Sequence, residues 1–428
     1  MDHLRQHRPV GQGGFHTASL QDQQRTLHYV YDCGAMPTYA SRRDAEIDQY
    51  IGERGAASLL DFLFISHAHA DHLNGVPRLL AARTGLKVDT IVMPLLPLAD
   101  RLVAFARAAF ADPRLAGNAF YRDFIIDPVA AVRRFGPARI VLVRPGQRGR
   151  NSPGAPGANG DPPDGNPDRP DALMARAGGH APAWEVVGRG AAVAHTAANG
   201  PVAPVFELDD TLGFGMRDRH GRWWLLAPFV EPAVRANRSL FRSTLAGQLG
   251  ISLAQLTGRL RTTAGLLNLL TNHVADLAAA YKVVDDDLNV TSLSLYSGPV
   301  ALPAAPFGYL ARFGKWQSGP SGDDRCAWLG TGDAALAATA YRRNFLDHYR
   351  LLLRNVQSFV LAHHGSERNF DPQLLVEIDP GLVIAQADKI GRWRHPGTGV
   401  VQATASSGRF VCVVTSSPDS SVTEHIAL

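Results

Sequence analysis

Cysteine is nearly absent from the 428 residues: Cys33, Cys326 and Cys412 lie far apart, with no CxxC pair. That excludes a disulfide framework and a cysteine-rich zinc module, so any metal must be held by imidazole and carboxylate. Lysine is also scarce, found only at Lys87, Lys282, Lys315 and Lys389, and nearly all positive charge is arginine. Arginine is the better bidentate partner for phosphate. The accompanying richness in Ala, Gly and Pro fits a general compositional bias, so the excess carries little weight. No apolar run reaches the ~18 residues of a membrane helix, and MDHLRQHRPVGQGGF has no apolar signal segment. No membrane association and a cytoplasmic location are therefore expected. Neither sign of charge dominates: 43 Lys and Arg against 39 Asp and Glu leave +4, which marks neither a strong polyanion binder nor an acidic tail.

What is present alternates. Strands are expected at 25–32 (RTLHYVYD), 57–65 (ASLLDFLFI), 88–93, 138–143, 223–227, 290–296, 358–366 (SFVLAHHGS), 382–387 and 410–414, and helices at 73–83, 98–110 and 334–349. The order strand, loop, helix, strand argues for a layered α/β fold, read as one domain over 1–428. Two segments interrupt it. Gly and Pro fill 12 of the 25 positions in 146–170, so a flexible Gly/Pro-rich insertion is expected over 146–182. Long Leu and Ala spacing over 234–281 predicts a helical insertion.

The strongest chemical signal is FISHAHADHLNG, which places His67, His69, Asp71 and His72 on one short loop after an apolar strand. Imidazole and carboxylate in this density suit Zn²⁺ or Mn²⁺; the plain alternative is a solvated histidine-rich loop. Asp333 follows an apolar strand through GTGD. Alone it reads as a helix N-cap, and beside the histidine cluster as a metal bridge. His363 and His364 close the strand SFVLA, and strand alternation leaves one of them, His364, as ligand and the other for substrate or packing. His395 in WRHPG is a loop residue or a site residue with equal weight. His195 reads as a spare ligand or, more simply, a surface histidine, and His16 as a rim residue or a packing one.

Taken together, HxHxDH after an apolar strand resembles the metallo-β-lactamase superfamily. PVGQGGF, YDCG (31–34), LNVTSLSLYS with Asn289 and Ser292, GTGD, AHHGS (362–366) and WRHPG are similar, in order, to motifs of the ComEC-like hydrolase domain branch. That resemblance implies an αββα sandwich and two divalent metal ions, Zn or Mn, on His67, His69, Asp71, His72, Asp333 and His364. It offers Asn289 or Ser292 where many members place a third histidine, which would weaken the first metal site. It further implies phosphodiester hydrolysis, with DNA or another nucleic acid as substrate, through a metal-bound hydroxide. In that scheme Asp71 orients the metals, and His363 or His395 protonates the leaving oxygen. Soluble members of this kind also occur in bacterial defence systems. Two rivals are carried: a hydrolase of a small ester, amide or phosphocholine-type substrate, and a non-enzymatic metal-binding protein docking a protein partner through its helical insertion.

Overall fold

The computed structural model describes residues 1–23, 25–55, 58–146, 152, 168–174, 182–195, 202–231, 235–284, 291–301, 307–317, 325–389 and 394–428. The fold is mixed α/β, built on two mixed sheets. From edge to edge the first runs Trp316–Gln317, Gly308–Phe313, Val422–Ala427, Asp2–His7, Gly13–Asp22, Arg25–Ala35, Leu59–Phe64, Lys87–Pro94, Arg139–Val143, Val205–Leu208 and Ala192–Ala194. Its strands from Arg25–Ala35 to Val205–Leu208 are parallel. The second sheet runs Val411–Val414, Leu382–Gln386, Val356–Val360, Ala327–Gly330, Leu293–Pro299, Trp223–Val230, Leu212–Arg217 and Glu185–Gly188. Its first four are parallel to one another and the remainder antiparallel.

Burial explains this arrangement. In Leu59–Phe64 five of the six side chains are fully buried, because the sheet is covered on both faces. One face packs Val30, Leu63, Ile91 and Ile140 against helices that contribute Leu102, Phe105, Phe241 and Leu277. The other face packs Tyr29, Phe62 and Phe64 against Phe214, Trp224, Leu295 and Trp328 of the second sheet. The far face of the second sheet packs Leu225, Tyr296, Leu329 and Phe359 against Phe345, Tyr349, Leu374 and Val400. Among the described residues no helix is long and apolar enough to cross a membrane.

Three expectations are corrected. The single helix expected over 73–83 is broken into Ala70–Leu73, Val76–Leu79 and a 3₁₀ turn, Ala82–Thr84. Gly75 N–H turns aside to Cys33 O at 2.8 Å, and Pro77, lacking an N–H, fits only the first turn of a new helix. The helix expected from residue 334 begins at Thr339. Its would-be first turn is diverted because the carbonyls of Asp333 and Ala334 accept from Asn369 Nδ2 at 3.2 and 3.1 Å. The strand expected over 358–366 begins at Val356 and ends at Val360, and His363 (φ 50°) and His364 (φ 59°) take left-handed conformations, so strand alternation does not govern which ring faces the site.

The 234–281 segment is helical as Arg235–Gln248, Leu253–Leu260, Thr263–Asn272 and Val274–Val284, with the residues just before it outside the described set. Most of 146–182 lies outside the described residues. Within it, Leu173 is buried between the sheets and its carbonyl accepts from Arg139 at 2.9 Å.

Candidate metal centre

The histidine loop leaves the buried strand at Ile65 and is pinned at once. Asp32, held at φ 59° after the Arg25–Ala35 strand has begun to bend, accepts from Ser66 N–H and Ser66 Oγ at 2.7 Å each and from His72 Nδ1 at 2.8 Å. The Ser66 hydroxyl, having given its proton to Asp32, accepts from His67 Nδ1 at 2.7 Å. His364 Nδ1 donates to the Gln386 carbonyl at 2.7 Å. The Nδ1 bonds of His67 and His364 fix tautomers in which the Nε2 lone pair faces the ligand cluster, as metal ligation requires, while His72 turns its Nε2 to Asp333.

Those lone pairs converge. His67 Nε2 lies 3.0 Å from His69 Nδ1, and Asp333 Oδ2 lies 3.1 Å from His69 Nδ1 and 3.3 Å from His67 Nε2. His72 Nε2 is 3.5 Å from Asp333 Oδ1, and His364 Nε2 is 3.4 Å from Asp71 Oδ2. Two groups, His67/His72/Asp333 and Asp71/His72/His364, each bring their ligand atoms within 4.8 Å of one another. His72 Nε2 and Asp333 Oδ1 are buried and have no hydrogen-bond partner, although they face each other. Buried polar atoms are rarely left so, and a cation between them satisfies both.

The electrostatics agree. Burial opposes charge on His72, yet the Asp32 carboxylate holds it up at about 10, so this corner of the site favours a positive charge. Burial would raise Asp333, but His67 and His363 hold it well below the usual carboxylate range. Asp71 is likewise lowered, by His364 and His72 against its burial. Burial lowers His69 to about 4 and His363 well below its ordinary value.

All six residues expected to hold metal are thus brought together, and His363 and His395 stand beside them, with ring centroids 5.6 Å apart. Burial lowers His395 to about 4, with the His364 ring adding to the effect. Ser292 is not seen pointing a ligand at these groups. Its Oγ accepts from the Asp333 N–H at 3.0 Å and so places the GTGD turn, in which Gly332 takes φ +53°. Asn289 lies outside the described residues. His195 is elsewhere, half-exposed and paired with Glu207. His16 is buried between the sheets, stacked on Trp328 at 4.2 Å.

Four residues of the site were given no role by sequence reasoning: Asp32 and Ser66, although they lie in YDCG and FISHAHADHLNG, and Asn369 and Arg107. Arg107, on the Leu98–Ala111 helix, donates from Nη2 to His363 Nε2 at 2.6 Å, while His363 Nδ1 donates to Asn369 Oδ1 at 2.8 Å. A narrow cleft opens over His69, Asp71, Asp333, His363 and His364 and is otherwise walled by Met36, Ala108, Ala111 and Leu115 with Gln12 and Arg107. Compared with known families and with curated proteins, the chain matches no family model and no curated sequence.

Proposed function

We propose that the chain is a metal-dependent hydrolase with a metallo-β-lactamase-type αββα sandwich, most similar to the ComEC-like hydrolase branch, and that it cleaves phosphodiesters in the cytoplasm. The observation that carries this reading is the convergence of buried ligand atoms, above all His72 Nε2 and Asp333 Oδ1, which face each other at 3.5 Å without a hydrogen bond, inside a shell of imidazoles whose other nitrogens are already committed. The order helices, sheet, sheet, helices supports the fold assignment.

His67, His69, Asp71, His72, Asp333 and His364 would hold two divalent ions, zinc or manganese by donor type. When bound, such ions lower the pKa of a water and screen phosphoryl charge. Asp32, Ser66 and the Gln386 carbonyl keep the imidazoles in register. Of the two imidazoles considered for the leaving oxygen, His363 has its Nδ1–H given to Asn369 and its Nε2 accepting from Arg107. That leaves His395, a neutral imidazole, which serves as a hydrogen-bond donor rather than a strong acid.

The substrate follows from the resemblance as DNA or another nucleic acid, with a place in bacterial defence. A second reading, a smaller ester or phosphocholine-type substrate, is favoured by the modest cleft and its apolar wall. A role as a protein-docking scaffold has less support, since Phe241, Leu245, Leu256, Leu270 and Leu277 of the helical insertion are spent on the molecule's own core.

The test is elemental analysis of the purified protein with assays on single-stranded DNA, double-stranded DNA and cyclic nucleotides. Two ions per chain are expected, and Asp71→Ala should abolish hydrolysis while the fold persists. A protein without bound metal that shows no thermal shift with Zn²⁺ or Mn²⁺ overturns the reading.

A further inference from the structure

Gln12 immediately precedes the strand Gly13–Asp22 and lines the cleft together with His69, Asp71 and Asp333. Only 2% of the residue is exposed. Its backbone is held on both sides. The Gln12 carbonyl accepts from the Met36 N–H at 2.8 Å, and Gly11 takes φ +80° against Tyr39, where a Cβ would lie 2.5 Å from the ring Cγ. A Cβ on Gly13 would lie 2.8 Å from the Asp71 carbonyl oxygen, so this loop runs directly against the histidine loop.

The Gln12 side chain makes one hydrogen bond: the Asp388 N–H donates to Oε1 at 3.3 Å. A backbone N–H can only donate, so the two ends of the amide are told apart, with Oε1 committed to Asp388 and the two N–H groups on Nε2 at the other end. Asp388 is itself fixed. Its carboxylate accepts from the Ser416 N–H at 2.7 Å, from Ser416 Oγ at 2.6 Å and from the Lys389 N–H at 2.7 Å. Gln12 Nε2 donates to no described residue, and it is not sealed from solvent as the partnerless buried nitrogens elsewhere in the molecule are. The amide of a nearly buried residue thus turns its donor end to the cleft, anchored from behind.

We propose that Gln12 Nε2 is the amide donor that holds a non-bridging phosphoryl oxygen of a phosphodiester substrate beside the ligand cluster. This rests on the hydrolase reading for its chemistry, and adds a protein group that meets the substrate. An amide whose oxygen is already committed offers donors alone, so it favours a group that presents oxygen lone pairs and gains negative charge as the reaction proceeds. A donor fixed in advance needs no reorganisation at that moment.

Gln12→Glu and Gln12→Met are compared with the zinc-loaded wild type on bis-p-nitrophenyl phosphate and on a thymidine dinucleotide. Glutamate has the same shape and still offers the Asp388 N–H an oxygen, but it turns an acceptor to the cleft in place of a donor. Methionine keeps the length and offers neither. Both variants are expected to lower kcat by about 100-fold or more on whichever diester the wild type cleaves, the loss typical of removing one such donor. Zinc content by elemental analysis should equal that of the wild type. Calorimetric titration with inorganic phosphate should show about tenfold weaker binding to both variants, as expected when a hydrogen bond to a charged group is lost.

Undiminished kcat or phosphate affinity in either variant overturns the proposal. Impairment of Gln12→Met alone would make Gln12 a brace for Asp388, since glutamate preserves that bond. Zinc lost from either variant also overturns it, by making Gln12 a support of the histidine loop. If Gln12→Met does not fold, Gln12→Glu carries the same comparison. If the wild type holds zinc but cleaves neither diester, the hydrolase reading fails by itself, and the phosphate titration still decides the amide donor.

Discussion

Asp32 touches no atom that the cleft exposes, yet three hydrogen bonds end on its carboxylate, two from Ser66 and one from His72. A carboxylate behind a ligating imidazole fixes its ring and raises its basicity, and losing such a partner costs about 10- to 100-fold in metal affinity. Asp32→Asn is therefore expected to weaken zinc binding by that factor in competition with a chromophoric chelator, with the apo fold retained; unchanged affinity would show that His72 is oriented by packing alone. His67, His69, Asp71 and His72 were legible because one short loop supplies them all, in residue types with few structural uses. Asp333 and His364 were legible through short Gly-flanked motifs. Asp32, although it lies in YDCG, was given no role because its partners Ser66 and His72 are distant in sequence, and Asn369 because only the left-handed turn at 363–364 brings His363 onto it. Arg107 sits on an amphipathic helix where an arginine ordinarily means solvent, and nothing local distinguishes it from its many neighbours of the same type.

At the scale of elements, strands buried on both faces announced themselves by continuous apolar runs, and Leu59–Phe64, Lys87–Pro94 and Leu382–Gln386 fall where those runs stand. Asp2–His7 did not, because its inward residues are His3, Arg5 and His7, which reads as a polar segment until Glu424 and Trp328 supply their partners. Broken helices were misjudged for a different reason: periodicity registers apolar faces and not the backbone bond that leaves the helix. Gly75 is the clearest case. Its φ is ordinary, but an added Cβ would lie 2.8 Å from both the Cys33 carbonyl and Ile47 Cδ1. Gly75→Ala is expected to destabilise by about 1–3 kcal/mol through this overpacking. Gly52, inside helix Ala40–Arg54 with nothing within 4 Å of its added Cβ, provides the contrast. Gly52→Ala should stabilise by about 0.5–1 kcal/mol, because helix propensity is then the only term. Denaturation midpoints of the two variants should move in opposite directions, and a parallel shift would show that the close approach of Cys33 and Ile47 to Gly75 leaves room for a Cβ.

The two sheets are closed on each other by a buried polar seam whose histidines contribute to the pH response of the molecule. Arg5, on the strand that pairs with Val422–Ala427, binds Glu424 at 2.5 and 2.8 Å and the Cys326 carbonyl of the second sheet at 2.8 Å; Tyr309 also donates to Glu424, at 2.7 Å. Around this pair lie His3, His7 and His16, fully buried and packed on Trp224 and Trp328. Burial lowers all three, with the Arg5 charge adding to it, and His7 falls to about 4 even though Glu424 pulls the other way. An unfolded chain takes up protons at these histidines near pH 6.5, while the folded one refuses them until lower pH. Their contribution is therefore intact above pH 6.5 and is lost as pH falls from there towards about 4. Each histidine can cost up to about 1.4 kcal/mol per pH unit in that window. Urea unfolding followed at pH 7.5, 6.0 and 5.0 should show stability falling progressively more steeply. Both ring nitrogens of His16 lack hydrogen-bond partners, so His16→Phe removes no bond, keeps the stack on Trp328 and takes one proton out of the balance. Its stability should decline less steeply with acid than that of the wild type, by about one proton's worth. If the two proteins lose stability in parallel between pH 6.5 and 5, the acid response originates elsewhere, and the seam between the sheets is not its source.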